Sequence, residues 1–136
     1  MSKPSDVAGK QASPDGEGVY IASRTKHAPK WRALRDAGVP IISTWIDEAE
    51  QGQTADFTDL AERCVSEARD ASATIVYREA GENLKGALIE VGAALSAGRK
   101  VVSCGEWEDW SCALEHHPKW CCVPTVEDAI NYLRKK

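Results

Sequence analysis

The segment from Leu84 to Val102, LKGALIEVGAALSAGRKVV, constrains the fold more than any other part of the chain. It predicts a loop, then a helix that Gly86 opens and Gly98 ends, and then a buried strand. Glu90 lies one turn into this helix and is surrounded by apolar and small residues. Its carboxylate therefore either reaches solvent or lies in a cleft. In a cleft its pKa would be shifted, which is typical of a functional group.

The same alternation of strand and helix patterns runs from Gly18 to the end of the chain. The predicted strands are Val19–Ser23, Pro40–Thr44, Ala73–Tyr77, the strand that contains Val101 and Val102, and Trp120–Val123. The predicted helices are Ala28–Ala37, Phe57–Asp70, the Gly86 helix and a last helix from Val126, which Thr125 caps with Asp128 three residues on. Alternating strands and helices indicate a parallel sheet with both faces covered. We therefore predict an α/β fold, a flavodoxin-like or Rossmann-like three-layer sandwich with a five-stranded parallel sheet in the order 2-1-3-4-5.

In such a sheet the ligand crevice lies outside the carboxyl ends of strands one and three. Three loops are expected at this crevice: Ser23–Ala28, Thr44–Ala55 and Arg78–Gly86. The third of these loops leads directly into the helix that carries Glu90.

Composition narrows the class of protein. Residues 1–17 are rich in Pro, Gly, Ser and charge, which predicts a disordered tail before one domain at residues 18–136.

The net charge of −4 and the lack of a basic stripe argue against a nucleic-acid partner. No apolar run reaches the roughly 20 residues that span a bilayer. Without an export signal, we expect a cytoplasmic protein whose five cysteines are reduced.

Three stretches together carry a resemblance to a known family. VYIAS at the first strand, ASATIVYRE at the third and GALIEVGAALSAGRKVV after it resemble the nucleoside 2-deoxyribosyltransferase-like superfamily, which includes nucleotide N-glycoside hydrolases. The resemblance covers about Gly18 to Val102. It implies that a glutamate attacks the anomeric carbon of a nucleoside, expels the base and forms a covalent glycosyl-enzyme. Glu90 matches this nucleophile, and Tyr20 matches a tyrosine that steers it.

The chain departs from the family pattern at two positions. Leu84 stands where the transferases have an aspartate that helps to protonate the leaving base, and Cys64 aligns with a second family aspartate. Glu82 lies in the same loop as Leu84 and is our candidate for the missing acid; the alternative is simple loop charge. Because the base-handling aspartate is absent, hydrolysis is favoured over transfer.

Several residues at the predicted crevice suit a nucleotide. Hydroxyl and cationic groups suit a phosphate, and the start of the Gly86 helix adds its own positive end. Trp45 could stack on a base and Asp47 could bind a sugar hydroxyl, although both also suit the edge of a core. The predicted substrate-binding residues are Ser23, Arg24, Lys26, His27, Trp45, Asp47, Lys85 and Gly86.

A cluster of cysteines and histidines near the carboxyl end does not indicate a metal site. Cys112, His116, His117, Cys121 and Cys122 lack paired C-x-x-C spacing, and adjacent cysteines on a strand point to opposite faces. We therefore expect no metal and no cofactor. The tryptophan-rich segment Glu106–Trp120 predicts a subunit interface of a homo-oligomer, or alternatively a cap on the end of the sheet.

The sequence thus predicts a protein that cleaves or transfers the N-glycosidic bond of a nucleoside or nucleotide through Glu90. The alternative is a non-catalytic nucleotide sensor of the same fold, in which Glu90 would be tied into an ion pair with Lys85 or Arg24. A third possibility is a protein-interaction domain that uses the tryptophan segment.

Overall fold

A parallel sheet of four strands forms the centre of the part of the chain that the structure describes. The computed structural model describes residues 18–49, 54, 56–107 and 116–134, so the predicted tail at residues 1–17 lies outside the described residues. The strands are β1 (Val19–Ala22), β2 (Ala73–Arg78), β3 (Lys100–Gly105) and β4 (Trp120–Cys122). They lie side by side in the order β1-β2-β3-β4, and each neighbouring pair is parallel.

The predicted second strand, Pro40–Thr44, is reduced to a single parallel bridge between Ile41 and Val19. Backbone hydrogen bonds from Val19 to Pro40 and from Ile42 to Val19 hold this segment beside β1. The ladder stops there because the Ile21 amide donates to the Ser43 hydroxyl at 2.6 Å instead of to a backbone carbonyl. The prediction of five strands in the order 2-1-3-4-5 is therefore not confirmed, although the α/β parallel architecture is.

Within the described residues, four α-helices connect and flank the strands: α1 (Ala28–Asp36), α2 (Phe57–Asp70), α3 (Gly86–Ser96) and α4 (Val126–Arg134). Helix α2 begins where the Asp56 side chain accepts hydrogen bonds from two backbone amides of the first turn. Helix α4 is capped as predicted, since the Asp128 amide donates to the Thr125 hydroxyl at 3.0 Å. Helix α3 ends before Gly98, whose φ of 78° lies in the left-handed region.

The helices cover both faces of the sheet. Tyr20 and Thr74 are register partners on β1 and β2, and Tyr20 lies near α2 and α3. Tyr77 lies three residues further along β2, so its side chain points to the opposite face. There its ring meets the ring of Trp31 on α1 edge to face, with 5.5 Å between the centroids. The predicted layering of helices on both sides of a parallel sheet is thus confirmed.

The predicted interface segment Glu106–Trp120 is described only at its ends, because residues 108–115 lie outside the described residues. The Trp107 indole donates to the Cys104 carbonyl at 2.6 Å, and the Trp120 indole donates to the Ser103 hydroxyl at 3.0 Å. These two tryptophans therefore pack on the sheet, and an oligomer that uses this segment stays a prediction.

No helix in the described ranges combines the length and apolar character needed to cross a membrane.

Candidate active site

A cleft of about 720 Å³ opens at the carboxyl ends of β1 and β2. All three loops that were expected at the crevice contribute to it, together with one face of α2 and the start of α3. Its lining residues are Ser23, Arg24, Thr25, Trp45, Glu48, Ala49, Thr54, Phe57, Leu60, Cys64, Asn83, Leu84, Lys85, Gly86, Ala87 and Glu90. The cleft is therefore built by the loops that follow the strands, where parallel sheets place their ligands.

Glu90 lies at the floor of the cleft, on the side of α3 that faces α2. Burial raises the pKa of its carboxyl group to about 7, the nearby negative charge of Glu67 adds to the rise, and the Tyr20 hydroxyl opposes it. Glu67 is itself held by the backbone amide and the hydroxyl of Thr44, at 3.1 and 2.7 Å. A carboxylate with a strongly shifted pKa in a cleft is typical of a functional group.

Tyr20 lies beneath Glu90 and is fully buried. Its hydroxyl makes no well-formed hydrogen bond within the described structure, and its polar neighbours are the Glu90 carboxylate and the Cys64 thiol. Burial, followed by the charge of Glu90, raises the pKa of Tyr20 far above its usual range. Burial likewise raises the pKa of the Cys64 thiol to about 11, so Cys64 is a neutral group in this site. The floor thus pairs one titrating carboxylate with two neutral polar groups.

One wall of the cleft is cationic. We define the cationic wall as Arg24, Lys85 and the first turn of α3. The Arg24 guanidinium donates to the Asn83 carbonyl at 3.2 Å, which joins the loop after β1 to the loop before α3. No side chain caps the start of α3, where Lys85 is the N-cap residue. Backbone amides at an uncapped helix start, with two exposed cations beside them, form a favourable environment for an anion.

Another part of the cleft lining is apolar and aromatic. We define the apolar wall as Trp45, Phe57 and Leu60. The Trp45 indole donates to the Ile21 carbonyl at 2.8 Å, which fixes its ring against the end of β1. Phe57, in the first turn of α2, is 72% exposed, which is unusual for the single phenylalanine of the chain. These side chains offer the kind of flat apolar surface on which a base could stack.

Glu48 adds a second carboxylate to the cleft, on the side of the apolar wall. One of its oxygens accepts a hydrogen bond from the Thr54 hydroxyl at 2.6 Å. The other oxygen lies 2.8 Å from the Arg63 guanidinium of α2, in an ion pair. Among the acidic residues that the structure describes, only Glu48 and Glu90 line the cleft.

The structure separates the predicted site residues into two groups. Ser23, Arg24, Trp45, Lys85, Gly86 and Glu90 line the cleft, and Tyr20 lies beneath it. Lys26, His27, Asp47 and Glu82 do not line it. Asp47 instead forms a two-fold ion pair with Arg35 of α1 at 2.8 Å, which lowers the pKa of its carboxyl group.

Glu82 belongs to a separate network that anchors its loop. Its carboxylate lies 2.8 Å from the ring of buried His27 and 3.5 Å from the Lys26 ammonium. Burial alone would raise the pKa of Glu82, but the Glu79 amide, His27 and Lys26 together lower it. A carboxyl group that is held ionised in this way has no proton to give. The geometry therefore does not favour the predicted role of Glu82 as proton donor.

The same network contains the one group of potential metal ligands found in the described residues. Ligand atoms of His27, Glu79 and Glu82 all lie within 4.8 Å of one another. However, the Tyr77 hydroxyl donates to Glu79 at 2.6 Å, and Lys26 supplies positive charge beside Glu82. These contacts already satisfy the two carboxylates.

Sequence reasoning missed Glu48, Thr54, Phe57, Leu60 and Asn83 as lining residues. The loop that contains Glu48 was expected at the crevice, but no motif distinguished this glutamate from its acidic neighbours. Leu60 and Cys64 lie four residues apart on α2, and the helix face that they share forms part of the cleft. The exposed Phe57 carried no periodic signal because it begins its helix.

The fold matches that of a solved enzyme structure. The chain is similar to the CMP N-glycosidase BcmB of Clostridium botulinum, with a TM-score of 0.52 and 16% identical residues. The match covers 85% of this chain and 96% of that chain. The chain therefore shares the fold of that enzyme. The resemblance read from the sequence motifs is thus confirmed at the level of the fold, while no protein-family model and no curated protein sequence matches the chain.

Proposed function

We propose that this protein hydrolyses the N-glycosidic bond of a nucleoside 5′-monophosphate, with Glu90 as the nucleophile. The carrying observation is that Glu90 lines the cleft beside Tyr20, and that the same cleft has a cationic wall and an apolar wall. A nucleotide offers matching parts, because its sugar lies between an anionic phosphate and a flat base. The CMP N-glycosidase that shares the fold acts on such a molecule, which supports this choice of substrate.

The chemistry follows from one carboxylate. An oxygen of Glu90 attacks the anomeric carbon, and the bond from that carbon to the base nitrogen breaks with its electron pair on the base. The base then takes a proton from water, since Glu82 is held ionised outside the cleft. A second water then attacks the anomeric carbon and gives its proton to the hydroxide left by the first step, while the bond from that carbon to Glu90 breaks and releases the carboxylate and the sugar phosphate. Tyr20 orients the Glu90 carboxylate throughout.

The electrostatics of Glu90 suit this role. Only the ionised carboxylate is a nucleophile, and burial raises the pKa of Glu90 to about 7, so the carboxylate gains and loses its proton in the neutral range. In the sensor alternative, Glu90 would be neutralised by Lys85 or Arg24. Within the described residues neither cation forms an ion pair with Glu90, and Arg24 is instead bound to the Asn83 carbonyl. This difference favours catalysis over binding alone.

The test is base release from a panel of ribo- and deoxyribonucleosides and their 5′-monophosphates, followed by chromatography with and without a second free base. We expect release from monophosphates, abolished by Glu90→Ala and retained by Glu62→Ala, which truncates an exposed glutamate of α2. A new nucleoside in the presence of the second base would indicate transfer instead. Full activity of Glu90→Ala would overturn the mechanism, and binding without any release would favour the sensor.

A further inference from the structure

We infer that Glu48 selects the base, by accepting a hydrogen bond from an exocyclic amino group, so that amino-bearing bases are preferred over their oxo counterparts. This inference rests on the proposed function, because it assumes that a nucleotide occupies the cleft. It assigns to Glu48 a specificity role that is separate from the bond cleavage at Glu90.

Glu48 is held in a fixed position for such a contact. The Thr54 hydroxyl binds one of its oxygens and the Arg63 guanidinium binds the other, at 2.6 and 2.8 Å. Arg63 is in turn held by the Asp59 carboxylate at 2.9 Å and the Thr44 hydroxyl at 2.7 Å. The Glu48 side chain keeps 22% of its surface exposed, and Glu48 lines the cleft.

Glu48 can serve only as an acceptor. An ionised carboxylate accepts hydrogen bonds and donates none, and its two oxygens offer about four lone-pair positions. Thr54 and Arg63 occupy one position on each oxygen in the described structure. The remaining positions can accept hydrogen bonds from a ligand that brings its own N–H or O–H groups.

The position of Glu48 indicates which part of the nucleotide it meets. Glu48 ends the short turn that begins at Trp45, and its ion-pair partner Arg63 lies on α2, the helix that begins at Phe57, whereas Arg24 and Lys85 form the cationic wall. A phosphate beside Glu48 would face a negative charge, so the nucleotide is expected to bind with its phosphate at the cationic wall. The anomeric carbon then lies at Glu90 and the base reaches the apolar wall and Glu48.

A carboxylate distinguishes an amino group from an oxo group on a base. The amino group of cytosine or adenine donates a hydrogen bond to it, as glutamate does with cytosine in DNA recognition. The oxo group of uracil or hypoxanthine is itself an acceptor and is repelled. With an oxo base, the hydrogen bond to the charged carboxylate is lost and a repulsion takes its place. This difference corresponds to about a 10- to 100-fold preference for the amino base.

The test compares two substrate pairs that differ only in this group, CMP with UMP and AMP with IMP. We expect the wild-type ratio of kcat/KM within at least one pair to favour the amino base by about 10- to 100-fold. Glu48→Gln, whose amide both donates and accepts, should bring that ratio to within about threefold of one. Glu62→Gln makes the same change at an exposed glutamate of α2 that does not line the cleft, and it should keep the wild-type ratio.

Binding measurements separate the failure of this inference from the failure of the proposed function. The dissociation constants of the same four nucleotides are measured by calorimetry with Glu90→Gln and with Glu90→Gln combined with Glu48→Gln. A binding preference that disappears with Glu48→Gln, together with a wild-type protein that releases no base, would support base selection and overturn cleavage. Turnover with equal ratios in wild type and Glu48→Gln would overturn base selection and leave cleavage standing. If none of the four nucleotides binds, both proposals fall.

Discussion

The hydroxyl of Tyr20 on β1 and the carboxylate of Glu90 on α3 lie side by side at the floor of the cleft, and each changes the titration of the other. After burial, the charge of Glu90 is the next cause that raises the pKa of Tyr20. Tyr20 in turn limits the rise that burial imposes on Glu90, whose pKa reaches about 7. The tyrosine therefore stays neutral at every working pH and acts on the carboxylate as a fixed dipole.

Tyr20→Phe should move the pH dependence of activity. Because the hydroxyl favours the ionised carboxylate, its removal raises the pKa of Glu90 and shifts the acidic limb of kcat/KM to higher pH. We expect an activity loss of about tenfold at pH 7 that shrinks at pH 9. The measurement is base release from pH 5 to 10. Tyr77→Phe, on the opposite face of the sheet, is the control, and an unmoved limb in Tyr20→Phe would contradict the coupling.

Glu90→Gln should stabilise the protein at high pH. The folded-state pKa of about 7 lies above the ordinary value of 4.5, so the folded protein binds more protons than the unfolded chain between these values. The free energy of unfolding of the wild type therefore falls as pH rises through this window. The glutamine side chain does not titrate, so the variant does not lose stability in this way. The difference in free energy of unfolding between the variant and the wild type should be near zero at pH 4 and reach about 1–3 kcal/mol in favour of the variant by pH 8. Urea unfolding of both proteins at pH 4 and pH 8 measures this difference. The same difference at both pH values would show that Glu90 is not buried.

Arg24→Gln and Lys85→Gln should weaken binding of the phosphate end of the substrate. Each removes one charge from the cationic wall, and a charge-assisted contact corresponds to about a tenfold rise in KM for a monophosphate. The free nucleoside, which lacks the phosphate, should be affected by less than about twofold. Lys100→Gln removes a lysine at the opposite end of the sheet and is the matched control. An equal loss for nucleoside and monophosphate would contradict a phosphate site at this wall.

Local sequence signals predicted those features that depend on neighbouring residues. The bounds of α2, the Thr125 cap and the end of α3 at Gly98 follow from contacts within a few residues of chain. Glu90 was recognisable because a charged residue within an apolar helix is unusual. Glu90 lines the cleft, which is one of the two positions that the sequence predicted for its carboxylate.

Features that depend on pairing across the fold could not be predicted in this way. The strand at Pro40–Thr44 is cut short because the Ser43 hydroxyl takes the Ile21 amide, which its apolar pattern does not reveal. Glu48 reaches the cleft because Arg63, on the following helix, holds it there. Glu82 is drawn away from the cleft by buried His27. Each of these outcomes depends on a partner that is distant in the sequence.

Glu82→Gln distinguishes an anchor from a proton donor. Loss of a general acid lowers kcat by about 10²- to 10⁴-fold. If Glu82 instead anchors the loop through His27 and Lys26, the variant should keep kcat within about threefold and lose stability, because two charge-assisted contacts weaken. Steady-state kinetics and thermal unfolding of the same preparation measure both quantities. A large fall in kcat with unchanged stability would restore Glu82 as the acid.

Gly105→Ala should damage both stability and substrate binding, whereas Gly98→Ala should affect stability alone. Both glycines have positive φ, but a Cβ at Gly98 meets open space, while one at Gly105 would come within 2.1 Å of the Arg78 carbonyl. We expect a loss of about 1 kcal/mol for Gly98→Ala from backbone strain and a larger loss for Gly105→Ala, where the Arg78 backbone is forced to move.

The effect on binding follows from the contacts of Arg78. Its guanidinium donates to the Glu82 carbonyl at 3.0 Å and to the Glu106 carbonyl at 2.7 Å, so it holds the loop that places Asn83 and Lys85 at the cleft. A displaced Arg78 releases this loop, and KM for the monophosphate should rise in Gly105→Ala and stay unchanged in Gly98→Ala. Denaturant unfolding and nucleotide kinetics on both variants test the pair. Equal KM values in the two variants would show that Arg78 does not position the cationic wall.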